Sequence, residues 1–304
     1  MEMIRLGAHM SVAGGLPRAV ERAVVHRCEA FQIFSKNANQ WRGRDVPAAE
    51  TREFRAKVKA AGLRPVVSHA SYLINLATAH APLRAQSLAA MADEMDRAEA
   101  LGLQGVVLHP GCYTAGSEAA GLDFIADGLL ELFAARRRGK TMIILEHTAG
   151  QGTSLGATFE QIAYIIARMK DHPRIGVCLD TCHLLASGYD IASAEGYAGT
   201  FTLFEQLIGV DRLKVIHLND SKRPLGSRVD RHEHIGQGTV GLEAFRRLVN
   251  DRRFHGLPML LETPKEEGRS PSKIEIDRFD ERNLNVLRGL IAGGGTGRKG
   301  GKGW

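Results

Sequence analysis

The amino-acid sequence predicts an α/β protein built as a single (β/α)8 TIM barrel. Eight short apolar runs rich in β-branched residues alternate with segments of helical patterning, which is typical of parallel strands connected by helices. The length of 304 residues suits one such barrel, although two smaller domains would also fit. We assign residues 1–292 to the barrel and residues 293–304, a Gly/Lys-rich stretch, to a flexible tail.

Seven of the eight predicted strands end in His, Asp or Glu. The 12 His and 34 acidic residues together fill only 46 of 304 positions, so chance is a poor explanation. The strands and their end residues are 3–8 with His9, 30–34, 65–68 with His69, 105–108 with His109, 141–145 with Glu146, 175–179 with Asp180, 213–216 with His217, and 258–261 with Glu262. Residues that follow barrel strands converge on one face, where catalytic groups collect. The pattern therefore predicts a site for several metal ions.

The segments between the strands carry signals for helix ends. Pro47 lies near the start of one helix and Gly62 at its end, and Gly102 ends the next. Thr158 and Gln161 have the spacing of a capping box. These signals support the alternation of strands and helices.

Composition restricts the class of protein. With 44% hydrophobic and 24% charged residues and no apolar run of the ~18–20 residues that a membrane span needs, the chain is expected to be cytoplasmic. Its four cysteines include no CxxC pair and predict no disulfide framework, and Cys178 and Cys182 are interpreted as core residues. Nothing in the pattern requires more than a monomer.

The positive charge is unevenly distributed. The net charge of +6 is compatible with a polyanionic partner without establishing one, and the tail holds three of the charges, at Arg298, Lys299 and Lys302. The run Arg136–Arg138 before Gly139 is interpreted as a solvated helix end on the face opposite the catalytic one, in preference to a DNA-binding patch.

The connection after the seventh strand supplies further candidate ligands. Asp230 and His232 are two residues apart, so in an extended segment both side chains point the same way. With His183 they would form a separate three-ligand site. His234 has the same parity as His232, and spacing alone does not choose between them.

Several motifs resemble the endonuclease IV family of apurinic/apyrimidinic DNA repair enzymes. They are GAHMS, SHASYLINL, EHTAGQG, LDTCH with GYD, HLNDSK and GSRVDRHEHIGQG, which extend from Gly7 to about Glu262. The resemblance implies a (β/α)8 barrel with three zinc ions. It also implies hydrolysis of the phosphodiester 5′ to an abasic site in duplex DNA, leaving a 3′-hydroxyl and a 5′-deoxyribose phosphate. Activity on damaged 3′ ends is a further expectation from the family.

The family's metal ligands fall on residues that end predicted strands or lie in the long connection. Carried over by position, His69, His109 and Glu146 would hold one zinc, with Glu146 bridging to a second that is held by Asp180, His217 and Glu262. The third would take His183, Asp230 and His232, which selects His232 over His234 by analogy.

The chemistry of these residue types agrees with that assignment. Neutral imidazoles and carboxylates suit Zn²⁺, and Mn²⁺ is possible at one or more sites. A water between two ions ionises near neutral pH, and the third ion would neutralise the phosphate. We expect Glu146, Glu262, Asp180 and His217 to be catalytic, and no Ser or Cys nucleophile is required.

DNA contacts are expected in loops on the same face. Tyr72 and Leu73 would wedge into the base stack at the abasic site, where extrusion of the nucleotide costs least. Residues 35–44 offer phosphate contacts and a second wedge; the candidates are Lys36, Asn39, Trp41 and Arg42.

Three positions differ from the family's ligand pattern or lie beside it. Some family members have a basic residue where this chain has Asn39, and an Asn is usual where it has His147. We expect the His147 side chain to support a ligand through a hydrogen bond, the alternative being that it becomes an extra ligand. His9 resembles the family's opening motif without being a ligand there, so it is expected to support or pack against the site.

Two other functions are compatible with parts of the pattern. A metal-dependent sugar isomerase would use the same barrel and ligand types, but with two metals, a closed pocket and no need for Asp230 and His232. A catalytically silent binder of damaged DNA would be expected to lose at least one of the nine ligands. Fold alone does not separate these functions, whereas the site does.

Overall fold

The protein, described from a computed structural model over residues 4–268 and 273–292, is a closed barrel of eight parallel strands. The barrel strands are β1 Arg5–His9, β2 Ala30–Phe34, β3 Val66–His69, β4 Gly105–Leu108, β5 Met142–Glu146, β6 Ile175–Asp180, β7 Leu213–His217 and β10 Pro258–Leu261. They follow chain order around the barrel, and β10 pairs with β1 to close it. The predicted fold is confirmed, and each predicted strand overlaps an observed one. The predicted tail lies outside the described residues.

Helices cover the outside of the barrel. They are α1 Leu16–Val25, α2 Ala48–Ala61, α3 Ala81–Leu101, α4 Glu118–Ala135, α5 Phe159–Arg168, α6 Thr181–Ser187, α7 Ala194–Leu207, α8 Leu242–Asn250 and α9 Arg278–Leu290. The connection between β7 and α8 also forms a small antiparallel pair, β8 Asp220–Ser221 with β9 His232–Glu233. Within the described ranges no helix is long and apolar enough to span a membrane.

Local signals place the helix ends where the sequence predicted them. Gly62 and Gly102 end α2 and α3 in the left-handed conformation, with φ of 67° and 70°. Thr158 caps α5 by accepting a hydrogen bond from the Gln161 amide at 3.3 Å. The Gln161 side chain does not complete the capping box, because it accepts from the amides of Gly156 and Ala157 instead.

The core consists of two layers. A large cluster fills the space between the strands and the helices, and a smaller one fills the barrel interior. The interior cluster contains Ala30, Val67, Val107, Ile144, Cys178, Val215 and Leu260. Side chains two residues apart on a strand share a face. The residue two places after each of these therefore points into the barrel one layer higher, at the carboxyl ends of the strands.

Close packing of β1 against β2 requires a glycine at one position. A Cβ on Gly7 of β1 would lie 1.8 Å from the carbonyl oxygen of Ala30 on β2, so a larger residue would separate the two strands. Since Gly7 precedes His9 by two residues, both lie on the same face of β1.

Candidate metal centre

A ring of eight polar side chains lies directly above the apolar interior, one from each barrel strand or the residue after it. The ring consists of His9, Gln32, His69, His109, Glu146, Asp180, His217 and Glu262. Seven of these were predicted from strand ends; Gln32 was not. The apolar layer below closes the barrel, so the ring is open only towards the catalytic face.

Glu146 is the hub of the ring. Its carboxylate is fully buried, and its Oε2 lies 3.0 Å from His69 Nε2 and 3.1 Å from His109 Nε2. Its Oε1 lies 3.0 Å from His217 Nδ1. Burial alone would raise the pKa of Glu146, but the neighbouring imidazoles hold it well below its usual range. An ionised carboxylate thus presents its two oxygens to two different groups of side chains.

The second group surrounds the other oxygen of Glu146. Candidate ligand atoms of Glu146, Asp180, His217 and Glu262 all lie within 4.8 Å of one another. His217 Nδ1 is 3.2 Å from Glu262 Oε2 and 3.9 Å from Asp180 Oδ2. Three carboxylates this close repel one another unless positive charge lies between them.

The third group joins the start of α6 to the β8–β9 connection. Asp230 lies 3.2 Å from His183 Nε2 through one carboxylate oxygen and 3.2 Å from His232 Nε2 through the other. His234 is directed elsewhere, since its Nδ1 contacts Asn283 at 3.1 Å and its ring packs on Phe279. The structure therefore brings together His183, Asp230 and His232, the set that the resemblance selected.

Four imidazoles have one ring nitrogen held by an oxygen that can only accept a hydrogen bond. His69, His183 and His232 donate from Nδ1 to backbone carbonyl oxygens, and His217 donates from Nε2 to the Gln32 side-chain oxygen. In the neutral tautomer the opposite nitrogen therefore directs its lone pair at the carboxylates. Two of these nitrogens, His183 Nε2 and His232 Nε2, are buried and make no hydrogen bond of regular geometry with any described residue.

A lone pair that faces a carboxylate oxygen is repulsive, so a cation belongs between them. In the protein alone a proton supplies that charge. Burial lowers the pKa of His183, but Asp180 and Asp230 together raise it to about 10. The same two carboxylates outweigh burial at His232 and raise its pKa to about 9. Imidazole with carboxylate is also the donor set that Zn²⁺ and Mn²⁺ accept, so these residues fit divalent ions.

Gln32 and Asn219 are supporting residues that the sequence analysis missed. The Gln32 amide donates to Glu262 Oε1 at 2.5 Å while its oxygen accepts from His217. Asn219 donates to Asp180 Oδ2 at 2.6 Å and accepts from the Glu262 backbone amide at 2.9 Å. The one available signal for Gln32 was its polarity within the apolar run 30–34, at the position two residues after Ala30.

Asp220 stabilises the connection that carries two residues of the third group, and the sequence did not predict this role. It is fully buried, and its carboxylate accepts hydrogen bonds from the amides of Ser221, Gly236 and Val240. These bonds close the connection that carries Asp230 and His232. The NDS sequence after His217 gave no indication of this role.

His9 and His147 occupy different surroundings. His9 contacts Gln32 Nε2 at 3.1 Å and lies 3.7 Å from Glu262, so it supports the ring as expected. The His147 side chain points away from all nine candidate ligands and contacts the Ala157 carbonyl at 3.0 Å. Its backbone carbonyl, by contrast, accepts the hydrogen bond from His183 Nδ1. The expected support from the imidazole is thus replaced by support from the backbone.

The thiols beside the centre are protonated at neutral pH. Cys178 and Cys182 are fully buried, and burial raises the pKa of each to about 12. Cys178 belongs to the apolar layer inside the barrel. Both sulfurs lie within 4.8 Å of candidate ligand atoms, but a protonated thiol is a poor ligand.

Several predicted DNA-contact residues are accessible beside the ring. Tyr72 is 60% exposed, and its ring packs near His69 and His109 at centroid distances of 5.7 and 6.3 Å. Asn39 and Arg42 are exposed as well. Leu73 and Trp41 are half-buried, and Trp41 packs against the core.

Lys36 does not have the environment expected of a phosphate contact. Its ammonium group is buried, donates to the Trp41 carbonyl at 3.1 Å and to Asp93 at 3.2 Å, and lies 3.5 Å from Glu94. Glu94 also accepts from the Ser35 hydroxyl and the Ser71 amide. Lys36 therefore forms a buried ion pair with Glu94 of α3. The contacts of Glu94 hold the loops that follow β2 and β3, and the loop after β3 carries Tyr72.

The connection after β7 adds exposed cations that the sequence analysis did not assign. Arg228 and Arg231 flank Asp230 and are exposed, as are Lys222 and Arg223. They lie on the same connection as two ligands of the third group, Asp230 and His232.

Comparisons with known proteins agree with this geometry. Residues 20–282 match the family described as xylose isomerase-like TIM barrel. Probable endonuclease 4 of Chloroflexus aurantiacus is 47% identical over 96% of this chain and 99% of its own length. The Geobacter sulfurreducens protein of the same name is 48% identical over 94% of each chain.

Comparison with solved structures distinguishes proteins that share the family from proteins that share only the fold. Endonuclease IV from Thermus thermophilus has a TM-score of 0.82 and 39% identity, covering 94% of this chain and 98% of that chain. A D-psicose 3-epimerase has a TM-score of 0.67 over 94% of this chain and 99% of its own, but at 13% identity it shares the fold alone. The chain belongs to the endonuclease IV family of xylose isomerase-like TIM barrels, and it is a nuclease.

Proposed function

We propose that the protein is a DNA-repair endonuclease that hydrolyses the phosphodiester 5′ to abasic sites in duplex DNA. The products would be a 3′-hydroxyl and a 5′-deoxyribose phosphate, and damaged 3′ ends would be a second substrate. The observation that carries the proposal is the set of three groups of candidate ligands arranged around Glu146. We further propose that the protein acts as a monomer in the cytoplasm.

Three Zn²⁺ ions would be held by these groups, with Mn²⁺ possible at one or more. The assignments are His69, His109 and Glu146; Glu146, Asp180, His217 and Glu262; and His183, Asp230 and His232. When bound, the ions would lower the pKa of the attacking water and neutralise charge on the phosphate and the leaving 3′-oxygen.

The chain's own residues orient that chemistry. Glu146 directs one carboxylate oxygen at each of two groups, which is the geometry of a bridging ligand. Gln32 fixes both the tautomer of His217 and the position of Glu262. Asp180 is oriented by Asn219 and by the amides at the start of α6. These contacts would place the catalytic groups before substrate binds.

Substrate would be held by the open side of the centre. A cavity of about 370 Å³ adjoins the ring and is lined by Tyr72, His109, His183 and Asp230 among others, which gives an extruded nucleotide a place beside the candidate ligands. Tyr72 and Leu73 would fill the gap left in the base stack, and the exposed Arg42, Arg228 and Arg231 would contact phosphates. Asn39 and Trp41 lie on the same loop as Arg42 and would contact the DNA beside it.

The sugar-isomerase alternative is less well supported. Sugar epimerases share the barrel at 13–17% identity, which concerns the fold alone. The third group of ligands and the exposed Tyr72 have no role in a reaction that needs two metals and a closed pocket. Both features suit a polymeric substrate.

An end-labelled duplex with a single abasic analogue tests the proposal. The metal-loaded protein should cut once, on the 5′ side of the analogue, and leave a product that a polymerase extends. Treatment with a chelator should abolish the cut, and added Zn²⁺ should restore it. Cutting that resists the chelator, or elemental analysis that finds a single metal per chain, would contradict the three-metal assignment.

A further inference from the structure

The excess positive charge of the protein is concentrated on the face opposite the candidate metal centre. This far face consists of the loops that connect each helix to the next strand: residues 26–29, 62–65, 102–104, 136–141, 169–174, 208–212 and 251–257. They contain 11 Lys or Arg and four Asp or Glu, a net charge of +7. The described residues as a whole carry only +3, because those outside them hold +3 of the total of +6. Everything else in the described chain is therefore net negative.

The densest part of the far face follows α4. Arg136 is paired with Asp96 through two hydrogen bonds of 2.6 and 2.7 Å. Arg137, Arg138 and Lys140 are exposed, and none forms an ion pair with any described residue. One cation suffices to complement the carbonyl end of a helix, so three more unpaired cations exceed what helix stability needs.

A cavity in this cluster is lined by several guanidinium groups, one of which is held in a fixed position. The cavity measures about 380 Å³ and is lined by four arginines, Arg136, Arg137, Arg138 and Arg174, together with Asp96 and Glu99. The Arg174 guanidinium packs on the Phe133 ring, and its Nη2 donates to the Arg136 carbonyl at 2.8 Å. Its Nη1 is buried and has no hydrogen-bond partner in the part of the chain that the structure describes.

The two carboxylates that line the cavity are already committed. Asp96 is neutralised by Arg136, and Glu99 accepts hydrogen bonds from the Lys140 amide, the Thr141 amide and the Thr141 hydroxyl. The remaining guanidinium groups are thus available to an oxyanion. A phosphate group at the mouth of the cavity has the charge and acceptors to bind the exposed Arg137 and Arg138, while the Arg174 guanidinium below them adds positive charge.

We propose that the far face binds the phosphate backbone of a second DNA duplex, distinct from the duplex at the metal centre. DNA is the polyanion that a DNA-cutting enzyme meets at high local concentration. The choice of DNA over another polyanion rests on the proposed function. The last helix, α9, also ends on this face, where Asn250 contacts Leu290 and Ala292. Contacts with the phosphate backbone are independent of base sequence and would let the enzyme pass between DNA segments.

The test measures a second duplex while the first site is filled. Full-length, metal-loaded protein is saturated with an uncleavable abasic duplex, and a fluorescent intact duplex is then titrated at low salt. The variant R137E/R138E is compared with R52E/R55E, which changes the charge equally at two exposed arginines on α2 that form no ion pair with a described residue. We expect wild type and R52E/R55E to form a complex of one protein with two duplexes.

In R137E/R138E the second duplex should bind at least about tenfold more weakly. The slope of log binding constant against log salt concentration should fall by about two units, while incision is unchanged. The proposal is wrong if no second duplex binds, if both variants lose it equally, or if R137E/R138E keeps it. It is also wrong if only poly-glutamate or anionic vesicles bind the far face. Failure of the wild-type protein to incise an abasic duplex, with binding of the second duplex retained, would instead count against the proposed function.

Discussion

The two ends of the barrel carry opposite kinds of polar surface. At the metal centre most of the imidazoles and carboxylates are buried, and hydrogen bonds hold them in place, such as those from His69 to the Ala70 carbonyl and from His217 to Gln32. At the far face, Arg137, Arg138 and Lys140 are exposed and without ion pairs among the described residues. The comparison teaches that the net positive charge of the chain does not mark the reactive end. The carboxylates of the centre need positive charge from protons or cations, whereas the far face carries exposed arginine and lysine side chains.

The largest effect is expected from Glu262→Gln. The substitution removes one carboxylate from the second ligand group but keeps the shape, so incision of an abasic duplex should fall on the order of 10³-fold or more while binding persists. Single-turnover incision assays measure it. Glu267→Gln, at an exposed position five residues later, is the control and should have no effect. Normal incision by Glu262→Gln would remove Glu262 from the chemistry.

Metal affinity of the third group should depend steeply on pH. His183 and His232 have pKa values of about 10 and 9 in the metal-free protein, so at pH 7 both are protonated and a metal ion must displace two protons. Affinity should therefore rise on the order of 100-fold per pH unit between pH 6 and 8, measured by competition with a chelator.

Metal affinity that does not change with pH would contradict this prediction. It would show that the two imidazoles are already neutral before the metal ion binds.

The same protons stabilise the metal-free fold. Because both pKa values are raised, this contribution is complete below the ordinary histidine pKa near 6.5 and is lost as the pH rises through about 9 and 10.

Lys36 and Arg42 lie on one loop and should behave differently. Lys36→Met leaves Glu94 buried without its ammonium partner and should lower the free energy of unfolding by about 3 kcal/mol, with no change in the salt dependence of DNA binding. Arg42→Ala should leave stability unchanged and reduce the salt dependence by about one unit. Thermal melts and salt titrations separate the two. The reverse result would restore Lys36 as a phosphate contact.

Gln32→Ala tests the contact that fixes Glu262 and His217. Loss of that amide should lower metal affinity or incision about 10- to 100-fold, and added Zn²⁺ should recover part of the activity. Gln40→Ala, at an exposed position, is the matched control. Equal activity of the two variants would show that the ring holds its geometry without Gln32.

The smallest effect is expected from Tyr72→Ala. Removal of the exposed ring should reduce the preference for abasic over intact duplex about tenfold, because one stacking contact is worth about 1–3 kcal/mol. Competition binding with both duplexes measures the preference. Tyr164→Ala, an exposed tyrosine on α5, should leave the preference unchanged. If Tyr72→Ala also leaves the preference unchanged, another residue inserts into the base stack at the abasic site.

The sequence by itself determined the barrel and most of the ring. A parallel strand in a barrel is short and apolar, and its last inward residue must face the open end, so a polar residue there is visible in the pattern. His69, His109, Glu146, Asp180, His217 and Glu262 were all found in this way. Helix ends were equally visible, because Gly62 and Gly102 act through backbone conformation.

Only the tertiary structure decided how polar groups are paired. Gln32 meets Glu262 across 230 residues, and Lys36 meets Glu94 across 58, so neither contact leaves a local signature. Parity placed His232 and His234 on one face, but contacts with Asp230 and Asn283 separate them. The reason is physical: strand and helix patterns reflect neighbours in the chain, whereas hydrogen bonds and ion pairs depend on distances of about 3 Å that only the closed barrel fixes.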